Sequence, residues 1–250
     1  MFLFGVINAS PDSVNIDSIV EGPDEALTRA RALLRQGADA LDLGGQGSTP
    51  ASVIAQATEE WQRLESIVAA LAALDVPLSI DTWRPEVAHR ALSLGATMLN
   101  AADGMQSEDM WAVASDHQVD IVIPFLSGPH PHALKIITSD PIESMIQFFD
   151  ARLRVARRFG LERRCFLDPG TGFAPHDRTP EQHFRYQKYV YGHLDALRRF
   201  DRPLYIALPW RDTPRERELL EMVLRARPEL GRAHYPATVR AAELALDTGP

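Results

Sequence analysis

The sequence predicts a closed parallel (β/α)8 barrel, a TIM barrel of α/β class formed by residues 1–250 as a single domain, and three observations lead there. Short apolar runs alternate with longer amphipathic segments along all 250 residues, the pattern that gives a parallel sheet covered by helices. Most of the runs lack internal polar alternation, as expected of strands buried on both faces. A recurring phrase sets the direction: Arg35-Gln36-Gly37-Ala38-Asp39 and Ser93-Leu94-Gly95-Ala96-Thr97 each put glycine at a helix end just before a strand, where its tolerance of positive φ ends the helix. These are the turns at the bottom of the barrel, so the loops that follow the strands share the opposite face. An open doubly wound sheet is the alternative that the pattern alone admits.

In chain order the strands are expected at residues 2–7, 40–43, 77–80, 97–99, 120–125, 165–167 and 204–208, with a weak eighth near Ala233. Helices are expected at 23–36, 57–74, 85–94, 107–116, 141–159, 179–200, 213–227 and 237–246. Proline and glycine fall between these elements, as in Gly22-Pro23, Gly128-Pro129 and Asp168-Pro169-Gly170. No linker or low-complexity stretch interrupts the alternation.

Composition excludes several functions. The net charge of −8 is spread along the chain, without the basic stripe that nucleic-acid binding requires. No apolar stretch reaches the roughly 18 residues of a membrane span. The opening residues read as a strand rather than a signal peptide, because they are too short and lack a basic leader. The single cysteine, Cys165, lies in an apolar run and reads as a buried small hydrophobe. With one cysteine no internal disulfide forms, which fits the cytoplasm.

Barrel enzymes carry their chemistry at the C-terminal ends of the strands. Strand one leads into Asn8 and the segment Ser10-Pro11-Asp12-Ser13. Strand two leads into Asp42, Gly44, Gly45, Gln46, Gly47, Ser48, Thr49 and Pro50. Strand three ends in Asp81-Thr82, strand four in Asn100, strand six in Asp168-Pro169-Gly170-Thr171-Gly172-Phe173. Strand seven reaches Pro209-Trp210-Arg211, and strand eight carries Arg232 and His234. Any one of these can cap a helix or form a turn. Asp81, Asn100 and Asp168 together are harder to explain as stability elements, since converging buried carboxylates are costly without partners. They suit a flat ligand that offers several coplanar N–H donors and an acceptor, such as the aminopyrimidinone edge of a pterin.

At these residues the chain resembles the dihydropteroate synthase family. Asn8-Ala9-Ser10-Pro11-Asp12-Ser13 matches the family's Asn-x-Thr/Ser-Pro-Asp-Ser loop. Gly37-Ala38-Asp39 and the stretch from Asp42 to Pro50 resemble its second signature. Ser79–Thr82 matches its Ser-Ile-Asp-Thr strand, and Asn100 stands at its Asn-Asp. Ser127-Gly128-Pro129 resembles the loop after strand five. The stretch from Leu167 to Phe173 resembles Leu-Asp-Pro-Gly-Ile-Gly-Phe, and Arg232-Ala233-His234 resembles the Arg-Val-His-Asp close. Seven ordered blocks carry the resemblance from residue 2 to about 246.

The resemblance implies a transferase of folate biosynthesis that joins 6-hydroxymethyl-dihydropterin diphosphate to 4-aminobenzoate. Asp81, Asn100 and Asp168 would hold the pterin, with Asp81, Asp168 and Arg211 as the catalytic set. Arg211 would stand in for the family's ring-contacting lysine, and Ser48 and Thr49 would contribute to substrate binding. Asn8 would help place Mg²⁺ and the diphosphate, and Arg232 and His234 would line the anion pocket. A small-molecule pterin is the implied partner, with no nucleic acid and no membrane, and family members are often homodimers through barrel helices.

The departures are uneven. In the strand-two loop Thr49 replaces the family's arginine and Gln46-Gly47 its Glu-Ser. Ala174-Pro175 replaces Gly-Lys, Trp210 an arginine, Ala101 the aspartate of Asn-Asp, and Tyr235 the aspartate of the close. The groups expected on the pterin ring are retained, whereas several expected on the diphosphate and aminobenzoate are gone. Losing an arginine removes a bidentate anion donor; Arg84 and Arg178 are candidates to compensate. The second substrate is therefore open, and two other readings stand beside the synthase: a pterin- or folate-dependent methyltransferase of the same barrel family, and a non-catalytic pterin-binding paralogue.

Other features read more plainly. His130 and His132 lie on a proline-rich loop without metal-ligand partners and are expected to be solvated. The aromatic and basic residues of 184–191 fit a barrel-wall helix with a polar face. Trp83 and Trp210 fit packing and stacking on a flat ligand equally well. Gly44-Gly45-Gln46-Gly47 lacks the strand–helix context of a nucleotide-binding glycine loop.

Overall fold

The computed structural model describes residues 1–49 and 52–248; Pro50, quoted above from the strand-two signature, lies outside them. Eight parallel strands alternate with eight α-helices: β1 Phe2–Asn8, α1 Pro23–Arg35, β2 Ala40–Gly44, α2 Ala57–Ala72, β3 Leu78–Thr82, α3 Pro85–Ser93, β4 Met98–Ala101 and α4 Glu108–His117 come first. Then follow β5 Asp120–Pro124, α5 Pro141–Arg158, β6 Cys165–Asp168, α6 Pro180–Tyr191, β7 Tyr205–Ala207, α7 Pro214–Arg225, β8 Leu230–Ala233 and α8 Pro236–Thr248. The strands pair in the order β6-β5-β4-β3-β2-β1-β8-β7. A single parallel bridge, Leu167 with Leu204, joins β6 to β7 and closes the circle.

Local chemistry explains the element boundaries. Proline opens α1, α3, α5, α6, α7 and α8, a position where its missing N–H costs nothing and its fixed φ suits the helix. Thr179 and Gln182 form a reciprocal capping box on α6, and Gln56 and Glu59 do the same on α2. The Asp140 carboxylate accepts the Glu143 N–H at 2.9 Å at the start of α5. Gly37 and Gly95 adopt φ of +95° and +108°, as their place between helix and strand requires. Along α1, Ala26, Ala30 and Leu33 turn inward and are fully buried, one stripe of the shell that packs against the outside of the sheet.

Two expectations change. The helix expected over 179–200 stops at Tyr191; after Gly192-His193 the chain winds as a tighter 3-10 helix, Leu194–Phe200, until Asp201 reverses it with φ +50°. Strands β3, β4 and β6 also run past their last apolar residue to include Asp81, Asn100 and Asp168. Backbone pairing is indifferent to side-chain polarity, so the ladder continues for as long as a neighbour offers partners.

The period of two along each strand stacks the barrel interior in layers. Phe4, Ala40, Met98, Val122, Tyr205 and Leu230 form an apolar lower layer, with Phe166 against it. Two residues further along the same strands stand Val6, Asp42, Asn100, Pro124, Ala207, Arg232 and Asp168. The upper layer is thus polar on a greasy floor. Cys165 is buried with its thiol pushed up to about 12 by that burial, which leaves it unreactive.

Candidate active site

Strand register brings the upper-layer groups together. Asp81 pairs directly with Asn100 across β3 and β4 and with Gly44 across β2 and β3. Arg232 enters from β8, beside Phe4 of β1 and Ala207 of β7. Its guanidinium reaches two carboxylates: Nε stands 2.5 Å from Asp42 Oδ2, and Nη2 donates to Asp81 Oδ2 at 2.8 Å. Asn100 Nδ2 donates to the same Asp42 oxygen at 3.4 Å. Asp168 faces them from β6, its Oδ1 accepting the Gly170 N–H at 2.8 Å. Gly170 is in the left-handed region, and a Cβ there would meet Phe125 O at 2.0 Å, so only glycine permits this turn.

Two carboxylates thus share one guanidinium in a low-dielectric chamber, with Asp168 facing them, and the acids respond. Burial pushes Asp168 up to about 7, partly countered by the Gly170 N–H and Arg232. Burial also raises Asp81 to about 7; Arg232 opposes this, while Asp42, Glu60 and Asp168 add to it. Burial alone would weaken the proton on Arg232, but Asp42 and Asp81 more than offset it and the guanidinium stays charged. Beneath them the hydroxyls of Ser79 and Tyr205 and Asp42 Oδ1 are buried without a protein partner among the described residues. The chamber holds an excess of acceptors and suits a ligand rich in N–H groups.

Above the chamber a cavity of about 210 Å³ is lined by Asn8, Ser48, Thr49, Asp81, Arg211, Arg232 and His234, with Asn15, His183 and Trp210. Seven sequence-identified residues therefore share its wall. Asn100 and Asp168 do not line it; they are 6% and 5% exposed. The cavity is poor in free positive charge. Burial, with Arg232, Arg29 and Arg211 nearby, pushes His234 down to about 3, so the ring is neutral. Arg211 lies over the Trp210 ring, 4.5 Å from its centroid, and 3.8 Å from Glu216. Thr49 bonds Ser52 through their hydroxyls at 2.8 Å.

Loops around the mouth hold one another. Asp12 Oδ2 accepts the Val53 N–H at 2.6 Å, tying the β1 loop to the β2 loop. Gln46 folds the β2 loop onto itself, donating to the carbonyls of Gly47 and Val53 and accepting the Ala55 N–H. His130 and His132, expected to be solvated, are built into this rim instead. His130 stacks on Trp83 with ring centroids 5.8 Å apart, and His132 Nε2 lies 2.7 Å from Gly47 O. Trp83 therefore packs within the rim, whereas Trp210 both contacts the His234 ring at 5.4 Å and lines the cavity.

Arg84 and Arg178, the candidates to compensate, are both engaged with neighbours in this structure. Arg84 is taken by the buried Glu60 and by Ala55 O. Arg178 stacks over Tyr186, 4.1 Å from its centroid. Sequence reasoning named Asp42 at the end of strand two but gave it no role; the structure shows that it anchors Arg232. Its signal was available: it lies two positions beyond Ala40 on β2, the same pleat that carries Asn100 two beyond Met98.

Comparison with known proteins adds the family. Residues 4–208 match the family model described as pterin binding enzyme. The chain is 35% identical over 210 residues to the dihydropteroate synthase of Synechocystis sp., covering 82% of this chain and 70% of that one. It is 31% identical to the dihydropteroate synthase of Staphylococcus haemolyticus, covering 88% and 77%. Among solved structures, dihydropteroate synthase from Thermus thermophilus in complex with 4-aminobenzoate superposes with a TM-score of 0.82 at 28% identity, over 98% of this chain and 93% of the other.

Proposed function

The chain belongs to the pterin-binding enzyme family, and from that premise we propose that it is a dihydropteroate-synthase-type transferase. In the reaction an aryl amine nitrogen attacks the exocyclic methylene of the pterin. The carbon–oxygen bond to diphosphate breaks, the diphosphate departs with the electron pair, and the amine gives up one proton. The observation that carries this reading is the chamber of Asp42, Asp81, Asn100, Asp168 and Arg232.

Asp81, Asn100 and Asp168 would accept and donate hydrogen bonds along the pterin edge, while Arg232 holds two of the carboxylates in place. Carboxylates beside the ring stabilise the positive charge that grows on it as the leaving group departs. Asn8 fits an oxygen ligand for Mg²⁺: its Nδ2 is spent on Ser13 at 3.1 Å and Ser18 at 2.7 Å, which fixes the amide and leaves Oδ1. One protein oxygen suffices for an ion that takes its remaining ligands from phosphate and water. When bound, Mg²⁺ supplies positive charge to the departing diphosphate. Arg211, Ser48, Thr49 and His234 would contact the leaving group and the amine substrate. We also propose a homodimer and a cytoplasmic location, on the resemblance alone; among the described residues no helix is long and apolar enough to cross a membrane.

A second reading, transfer of a methyl group from a reduced pterin, gains from the same cavity: neutral His234 and Thr49 suit a reaction with no diphosphate to grip. Incubation with 6-hydroxymethyl-dihydropterin diphosphate and 4-aminobenzoate, read by mass spectrometry, separates the two. Dihydropteroate formation supports the synthase; its absence together with methyl transfer from methyl-tetrahydrofolate supports the second reading.

A further inference from the structure

The β1 loop, residues 9–22, is closed at its base, where Val20 N–H donates to Asn8 O at 2.8 Å and Asn8 bridges Ile19. Inside the loop the Ser18 hydroxyl donates to Asn15 O at 2.6 Å, and Ser18 Oγ in turn accepts Asn8 Nδ2. The orientation of the Asn8 amide is therefore set by the loop's own fold. Asn15, 4% exposed, lines the mouth cavity. A loop of this length stays in one place only where something outside it holds it.

Side-chain ties on opposite sides do so. Toward β2 the tie is the Asp12–Val53 bond already described. Toward β8 it is Tyr235, two residues beyond that strand, whose hydroxyl donates to Asp17 Oδ2 at 2.7 Å and lies 3.3 Å from Asn15 Oδ1. The matching position of the family's closing motif carries an aspartate, which could donate no hydrogen bond and would repel Asp17. The β8-side tie thus depends on the tyrosine of this chain.

We infer that Tyr235 is a positioning residue: its hydroxyl holds the β1 loop against the β8 end and, through Asn15 and Ser18, fixes the Asn8 amide where the electrophile's phosphoryl group is bound. The inference rests on the synthase reading for the role of Asn8, but the tie itself does not. The Tyr235 ring is backed by Trp210 at 6.4 Å, so Tyr235→Phe keeps the packing and removes the oxygen alone.

Hydrogen exchange of the full-length protein, combined with steady-state kinetics, tests it. In Y235F the amides of residues 13–20 are expected to exchange about tenfold faster, the loss of one hydrogen bond to a charged acceptor. KM for the pterin diphosphate should rise several-fold with kcat within about twofold. Adding Asp17→Ala to Y235F should change neither quantity further, because both substitutions break the same bond. Unchanged exchange in Y235F, or additive effects in the double variant, would overturn the inference. If the wild-type protein turns over no substrate, the synthase reading fails and the exchange data alone still decide whether the hydroxyl holds the loop.

Discussion

Strands and loops carry the site groups of this barrel differently. From β7 through β8 and β1 to β6 every neighbouring pair of strands shares a register of three to five paired residues. Between β6 and β7 there is one bridge, and β7 itself is three residues long. Asp42, Asp81, Asn100, Asp168 and Arg232 stand on laddered strands, each fixed by backbone pairing on both sides or by a tight turn. Thr49, Pro175, Trp210 and Tyr235, where the chain departs from the resemblance, stand on loop backbone that a substitution can rearrange without disturbing a ladder. The groups expected on the pterin ring thus lie where the fold fixes them, and the departures expected to affect anion and amine binding lie where it does not.

The largest way to break this comparison is at Arg232, which reaches from β8 to Asp42 on β2 and Asp81 on β3. Arg232→Met would leave Asp42, fully buried, without its cation, and should cost about 3–5 kcal/mol in denaturant unfolding. A loss below about 1 kcal/mol would mean that the carboxylates of the chamber need no counter-charge.

Asp168 sharpens the comparison through pH. Its folded-state pKa of about 7 lies above the ordinary 3.8, so between those values the folded protein binds a proton that the unfolded chain does not. Stability from this group is present below about pH 4, declines as pH rises toward 7, and is fully lost above that. Asp168→Asn keeps an acceptor for the Gly170 N–H and removes the charge, so at about pH 8 the ligand-free variant should melt at or above the wild-type temperature. The gap should close as pH falls to about 4. A variant that melts well below wild type in the alkaline buffer would show the carboxylate to be a structural element.

In the loop after β2, Thr49→Arg would restore a guanidinium to the cavity wall. Inhibition by inorganic diphosphate should tighten about tenfold, with pterin affinity unchanged. An unaltered inhibition constant would place the missing anion grip elsewhere. The smallest effect concerns the rim: His132→Ala removes the contact to Gly47 O and should cost no more than about 1 kcal/mol, visible mainly as faster exchange in the β2 loop.

The fold was legible because its signals are local: apolar runs, prolines at helix starts, glycines at helix ends. The grouping of Asp81, Asn100 and Asp168 was legible because strand ends in a barrel converge. The pairing of Asp42 with Arg232 was not, since it depends on two strands far apart in the chain that only the register of the closed barrel brings together. The rim was hidden for a related reason. Trp83 is far along the chain from His130 and His132, and their stacking depends on how two loops fold across the mouth. The break of α6 at Gly192 went unread because the apolar period continues through it.

The proposed function depends most on the chamber holding a pterin. Calorimetric titration of 6-hydroxymethylpterin into the wild-type protein and Asp168→Asn, both in mildly alkaline buffer, tests this most directly. Saturable one-to-one binding to the wild type, weakened about a hundredfold or more in the variant, is the result expected from losing a buried charged hydrogen-bond partner. Equal affinity in the two proteins would contradict it.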